Sequence, residues 1–334
     1  MYKALIPYNF GAIKITKYIH YIKNNSEYII SYGSLLASQV LTALTILIVA
    51  YLSSQNNRMD DFGIYAFAFS MGIFSSVISE AGTNSIVIQR MVKNERSPRI
   101  ISYYSGSITA IKFFLYIITS TSVILYVYLA TNLDKSKSFF YLYQIYGLLF
   151  CLQPLFVFIV INKLIINSFI IAVSKIPILI YIIFFFNPKI DSYLIIPIVD
   201  IASITAVIFL QYIYLGYVKR IKFLYKKRLV FRLIGVLKFF YLSNFVSSSY
   251  HRMHYFFVAQ LGTPYELGII GIVDRFLSIW GQIYNPALTL IIPKLARSRL
   301  SSHMFIKILK TIFKYLLILI SMILFLSIYL FLAN

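Results

Sequence analysis

The chain has only one cysteine, four histidines and ten acidic residues in 334. A lone Cys151 excludes an intramolecular disulfide, and in an apolar segment it reads as inert packing. Four scattered histidines with no second cysteine leave no ligand set for a metal centre. Charged residues make up 12% of the chain, about half the share of a soluble globular protein. Catalytic motifs are missing as well: there is no glycine-rich phosphate loop, no HExxH and no serine elbow. The expectation is a protein that is not an enzyme, with no catalytic residue, cofactor or metal. Met1 to Lys23 lacks the apolar stretch of a cleavable signal peptide, so a short amphipathic cytoplasmic helix is expected there.

What is present is apolar: 60% of residues are hydrophobic and 18% aromatic. No single soluble core buries that much apolar surface, whereas a bilayer supplies an apolar solvent. The apolar stretches run about 20 residues, the length a helix needs to cross the hydrocarbon. They do not alternate as barrel strands would. An all-α polytopic membrane protein of about nine transmembrane helices is expected. The spans fall at 28–52, 61–89, 101–131, 138–161, 165–186, 193–218, 236–260, 266–293 and 312–333. Breaks coincide with clusters such as Asn56-Asn57-Arg58, Asn187-Pro188-Lys189 and Gly262-Thr263-Pro264.

The net charge of +21 is carried by loops. Twenty-one of the 31 basic residues lie on one set of alternate loops and four on the other. This bias places the N-terminus in the cytoplasm and the C-terminus outside, and it removes nucleic acid as a partner. The densest basic stretch divides six spans from three. The expected organisation is a cytoplasmic segment 1–27, a six-helix lobe 28–218, a basic linker 219–235 and a partial second lobe 236–334. The linker either touches anionic membrane lipids or serves only to fix topology.

Two segments resemble each other, one from Asp61 (DFGIYAFAF) and one from Glu266 (ELGIIGIVD). Gly63 aligns with Gly268 at an offset of 205, in the same orientation, which reads as a parallel repeat about the membrane normal. Moving the six-span half along by that offset carries it about three spans past Asn334, so the second lobe reads as short.

Polar stripes run along four spans: Ser34, Ser38, Thr42 and Thr45; Gly72, Ser76, Glu80 and Thr83; Asn244, Ser248, His251 and Tyr255; Asp274, Ser278, Gln282, Asn285 and Thr289. They read either as hydrated cavity lining or as interhelical hydrogen bonding. Charges inside spans are costly and mark function. His251, Arg252 and His254 in span seven are expected level with Asp274 and Arg275 in span eight. The group reads as an anionic head-group site, a proton-coupled switch, or a static Arg252–Asp274 pair. Glu80 and Asp274 are candidates for binding a coupling ion or proton; a structural hydrogen bond is the alternative for Glu80. Lys112 and Lys175 are expected to snorkel toward the interface. Pro154 and Pro177 are expected to kink their helices.

The order of these features resembles the polysaccharide (O-antigen) flippases of the MATE-like exporter superfamily. The residues that carry the resemblance are Asp61, Gly63, Tyr65, Glu80, Gly82 and Arg90, the Asp274-Arg275 pair, and the segment SKIPILIYIIFFFNPKIDSYLIIP from Ser174. The family implies translocation of undecaprenyl-diphosphate-linked oligosaccharide across a bacterial inner membrane by alternating access. It implies Arg252, Arg275 and Lys175 as partners of the diphosphate. It also implies membrane lipids and other polysaccharide-assembly membrane proteins as neighbours. Other readings are a drug or lipid exporter of the same superfamily and an inactive truncated remnant. A polysaccharide polymerase fits less well, because the external loops are short.

Overall fold

A computed structural model describes residues 10–56, 58–80, 83, 88, 91, 97–130, 137–186, 193–275, 277 and 278, with side chains from Ile30 onward except at 31, 32, 43 and 130. Among the described residues the secondary structure is helical throughout. The helices are α1 (Phe10–Gln55), α2 (Met59–Glu80), α3 (Pro98–Ala130), α4 (Lys137–Leu152), α5 (Leu155–Val160), α6 (Leu164–Phe184), α7 (Ile195–Ile213) and α8 (Lys227–Leu261). A further helix, α9, begins at 264 and is described through 275. A π-helical turn, Tyr214–Val218, ends α7.

Seven segments are long and apolar enough to span a membrane: Gly33–Gln55, Met59–Glu80, Pro98–Leu129, Lys137–Val160, Leu164–Phe184, Ile195–Val218 and Lys227–Leu261. The protein is a multi-pass helical membrane protein. These seven match the first seven expected spans to within a few residues, apart from the end of α2 and the start of α8. Span eight is described only in its first part, and span nine lies outside the described residues. The short helix expected at the N-terminus is continuous with span one inside α1. Pro154 breaks span four into α4 and α5, as a residue without an N–H should. Pro177 instead sits inside an unbroken α6. Three residues before it, the Ser174 carbonyl accepts the Ser203 hydroxyl at 3.0 Å.

α2 is the hub. It packs against α1, α3, α4 and α8, and 83% of its spanning window is buried, against 28% for α6. The outer helices turn large apolar side chains outward, among them Phe114, Leu125 and Leu129 on α3 and Phe169 and Phe184 on α6. This inverted pattern suits a lipid surround. Glycines set the closest crossings. A Cβ on Gly72 would overlap the Tyr143 carbonyl, and one on Gly147 would overlap the Gly72 carbonyl, so α2 and α4 meet backbone to backbone. At the other crossing, a Cβ on Gly63 would overlap the Pro264 carbonyl, and one on Gly268 would reach 2.8 Å from the Met59 carbonyl. One turn on, a Gly271 Cβ would lie 2.7 Å from the Ala66 Cβ.

Candidate functional site

Helix rise alone brings three polar groups to one depth. Ser70 lies eleven residues into α2, Arg252 nine residues before the end of α8, and Asp274 ten residues into α9. At 1.5 Å per residue each is about 15 Å from its loop, near the middle of a bilayer core. The side chains meet there. Arg252 Nη1 donates to Asp274 Oδ2 and to Ser70 Oγ, both at 2.7 Å. The Tyr255 hydroxyl reaches the same Asp274 oxygen at 3.5 Å. Arg252 therefore ties α8 to both α2 and α9, which is the static pair among the readings open in the sequence.

Arg275, the next residue, turns away from that pair. Its guanidinium sits 4.3 Å from the centre of the Phe69 ring. It is 9% exposed, and Nε and Nη2 have no hydrogen-bond partner among the described residues. Phe69 in turn belongs to an aromatic layer with Tyr65, Tyr143 and Tyr146, whose neighbouring ring centres are 5.3–6.5 Å apart. Lys175 pairs with Asp200 at 3.1 Å and lies 5.8 Å from the Tyr146 ring of that layer.

Lys112 pairs with Glu80 at 3.5 Å, about 15 Å further along α2 than Ser70. The Lys112 ammonium lies 5.3 Å from the Phe156 ring centre. The Cys151 thiol, buried beside it, donates to the Lys112 carbonyl at 3.8 Å. These pairings correct the snorkelling expected of the two lysines: side chains of Lys112 and Lys175 are only 2% and 8% exposed. Each ammonium is held by a carboxylate inside the bundle. Glu80 is correspondingly a partner of Lys112.

His251 and His254 are level with Arg252 but do not join it. Successive helical positions are about 100° apart, and both histidines lie on the exposed side of α8. Their rings rest on the neighbouring Tyr250 and Tyr255. The stripe on span one is satisfied locally: Ser38, Thr42 and Thr45 donate back to the carbonyls of Leu35, Ser38 and Leu41. Gln282, Asn285 and Thr289 lie outside the described residues. Asp200 and Ser70 are site residues that the sequence reading passed over. Asp200 carried a usable signal, an acid inside an apolar span, the same rule that singled out Lys175.

Among the described residues Glu80, Asp200 and Asp274 pair with Lys112, Lys175 and Arg252, and Arg275 has no carboxylate partner. Among the described residues no three His, Cys, Asp or Glu side chains converge as a metal site would need. The arrangement includes a buried cation over an aromatic face.

Comparison with protein-family models, curated proteins and solved structures finds no match.

Proposed function

We propose that this chain translocates an undecaprenyl-diphosphate-linked oligosaccharide repeat unit from the cytoplasmic to the periplasmic leaflet of a bacterial inner membrane. The observation that carries the reading is Arg275, a cation buried near the bilayer centre whose Nε and Nη2 lack a hydrogen-bond partner among the described residues. A charge at that depth costs about 2.5–3.5 kcal/mol on the insertion scale, so its retention fits an anionic ligand. A diphosphate offers bidentate oxygens to a guanidinium. Of the three cations that the flippase resemblance singles out, Lys175 and Arg252 hold helices together through their carboxylates, and Arg275 meets the substrate.

The sequence repeat, taken as two lobes related about the membrane normal, fits alternating access. The Gly63–Gly268 and Ala66–Gly271 contacts each join positions 205 apart, as a two-fold axis along the membrane normal would make them. In this reading the basic loops face the cytoplasm, and lipid-linked sugar, membrane lipids and polysaccharide-assembly proteins are the partners. Single cysteines in place of Lys226 and Arg58, in a Cys151→Ser background, test the sidedness by impermeant labelling from each face.

The test of function is complementation of a strain lacking its O-antigen flippase. Wild-type chain should restore the surface polysaccharide ladder. Arg275→Met should abolish it at an equal membrane level, and Arg275→Lys should keep part of it. Equal ladders from wild type and Arg275→Met sink the reading.

A further inference from the structure

The basic linker between α7 and α8 is folded onto the bundle. Lys222 N donates to Ser102 Oγ at 3.0 Å, and Leu224 N donates to the Ser102 carbonyl at 3.1 Å. Gly106, one turn on, lies so close that a Cβ there would overlap the Leu224 backbone. Arg220, at φ 53°, makes the turn into this stretch in the left-handed region that non-glycine residues seldom use. The start of α3 therefore clamps the linker before α8 begins.

The clamp builds a cavity of about 330 Å³ lined by Ile100, Tyr103, Tyr104, Lys226, Arg228 and Arg232 with Leu229. Among the described residues no acid lines it, and its three cations form no ion pair. Lys226 lies 5.7 Å from the Tyr103 ring centre. The first turn of α8 contains no acid, and no side chain caps it, so its free amides add to the positive field. Exposed Phe231 and Ile234 on the adjoining turn of α8 offer apolar surface for an acyl chain.

We propose that this cavity binds the phosphate of an anionic phospholipid head group from the surrounding leaflet, which makes the linker a lipid-recognition element as well as a connection. The site is separate from the buried Arg275 and stands whether or not the chain is a flippase. Three cations and two tyrosines lining one cavity, beside an apolar flank, match a glycerophospholipid better than a free ion. The flank contributes nothing to inorganic phosphate.

The experiment measures the melting midpoint of the purified full chain in detergent. It is titrated with short-chain phosphatidylglycerol, with short-chain phosphatidylcholine and with inorganic phosphate. Phosphatidylglycerol should raise the midpoint saturably, and the other two should not. Lys226→Gln/Arg228→Gln/Arg232→Gln should weaken the apparent affinity about a hundredfold. A control with the same charge loss elsewhere, Lys3→Gln/Lys14→Gln/Lys17→Gln, should leave it within about twofold. If the triple variant does not fold, Arg232→Gln alone should still cost about fivefold. Equal stabilisation by the zwitterionic lipid, an equal loss in the control variant, or full stabilisation by inorganic phosphate overturns the proposal.

Discussion

Removing one partner of the Lys175–Asp200 pair should be far worse than removing both. The two charges are 3.1 Å apart and their side chains 8% and 5% exposed. At an effective dielectric of about 20 their attraction is about 5 kcal/mol, most of it cancelled by the desolvation of two ions. Lys175→Met leaves Asp200 buried without its cation, and Asp200→Leu leaves Lys175 without its carboxylate. Each should cost about 3–5 kcal/mol. The double variant Lys175→Met/Asp200→Leu replaces the pair with apolar side chains and should fall within about 1 kcal/mol of wild type. The predicted coupling is therefore several kcal/mol. The assay is reversible unfolding of the purified chain in mixed micelles, by SDS titration, for all four members of the cycle. Additive losses, with the double variant as damaged as the sum of the singles, would refute the pairing across α6 and α7.

Two further outcomes follow from packing. Gly63→Ala and Gly72→Ala each push a methyl into a neighbouring carbonyl and should cost about 1–3 kcal/mol in the same unfolding assay. Gly235→Ala, on an open helical surface of α8, should stabilise by about 0.5–1 kcal/mol. The opposite order would mean that the α2 crossings are not this close. Cys151 is 0% exposed and should resist a membrane-permeant maleimide in the folded chain, then react when SDS unfolds it. Fast labelling before unfolding would show an open path to the α3–α4 contact.

The spans were legible because a run of about 20 apolar residues has few alternatives to a membrane helix. The common depth of Arg252 and Asp274 was legible too, since helix rise is fixed and the two spans run in opposite directions. Which groups meet at that depth depends on rotation about each axis. That is why His251 and His254, level with Arg252, face elsewhere. The fate of Lys175 could have been reached by arithmetic. It lies eleven residues from one end of α6 and nine from the other, about 14–16 Å from either interface. A lysine stem cannot snorkel that far, so an internal acid was required, and Asp200 was available in the next span. Ser70 gave no such warning: a serine in a membrane helix normally bonds back to its own backbone, as Ser75 and Ser79 do on the same helix. The Gly63–Gly268 contact shows the reverse case. The alignment placed these two glycines at equivalent positions, but their mutual contact depends on how α2 and α9 pack.

Arg252 and Arg275 sit near one depth and carry the same group, yet their removal should shift stability in opposite directions. Arg252 is paired, and Arg252→Met strands Asp274 and frees the Ser70 hydroxyl, so it should destabilise by about 3 kcal/mol or more. Arg275 makes no ion pair among the described residues. Its burial costs about 2.5–3.5 kcal/mol on the insertion scale, offset by about 1–2 kcal/mol from the Phe69 face. Arg275→Met should therefore stabilise the chain by about 1–2 kcal/mol. A substitution that raises stability while abolishing the polysaccharide ladder is what a ligand site held at an energetic cost should give. If Arg275→Met destabilises the chain instead, the guanidinium has a structural partner, and the case for an anion at this position falls with it.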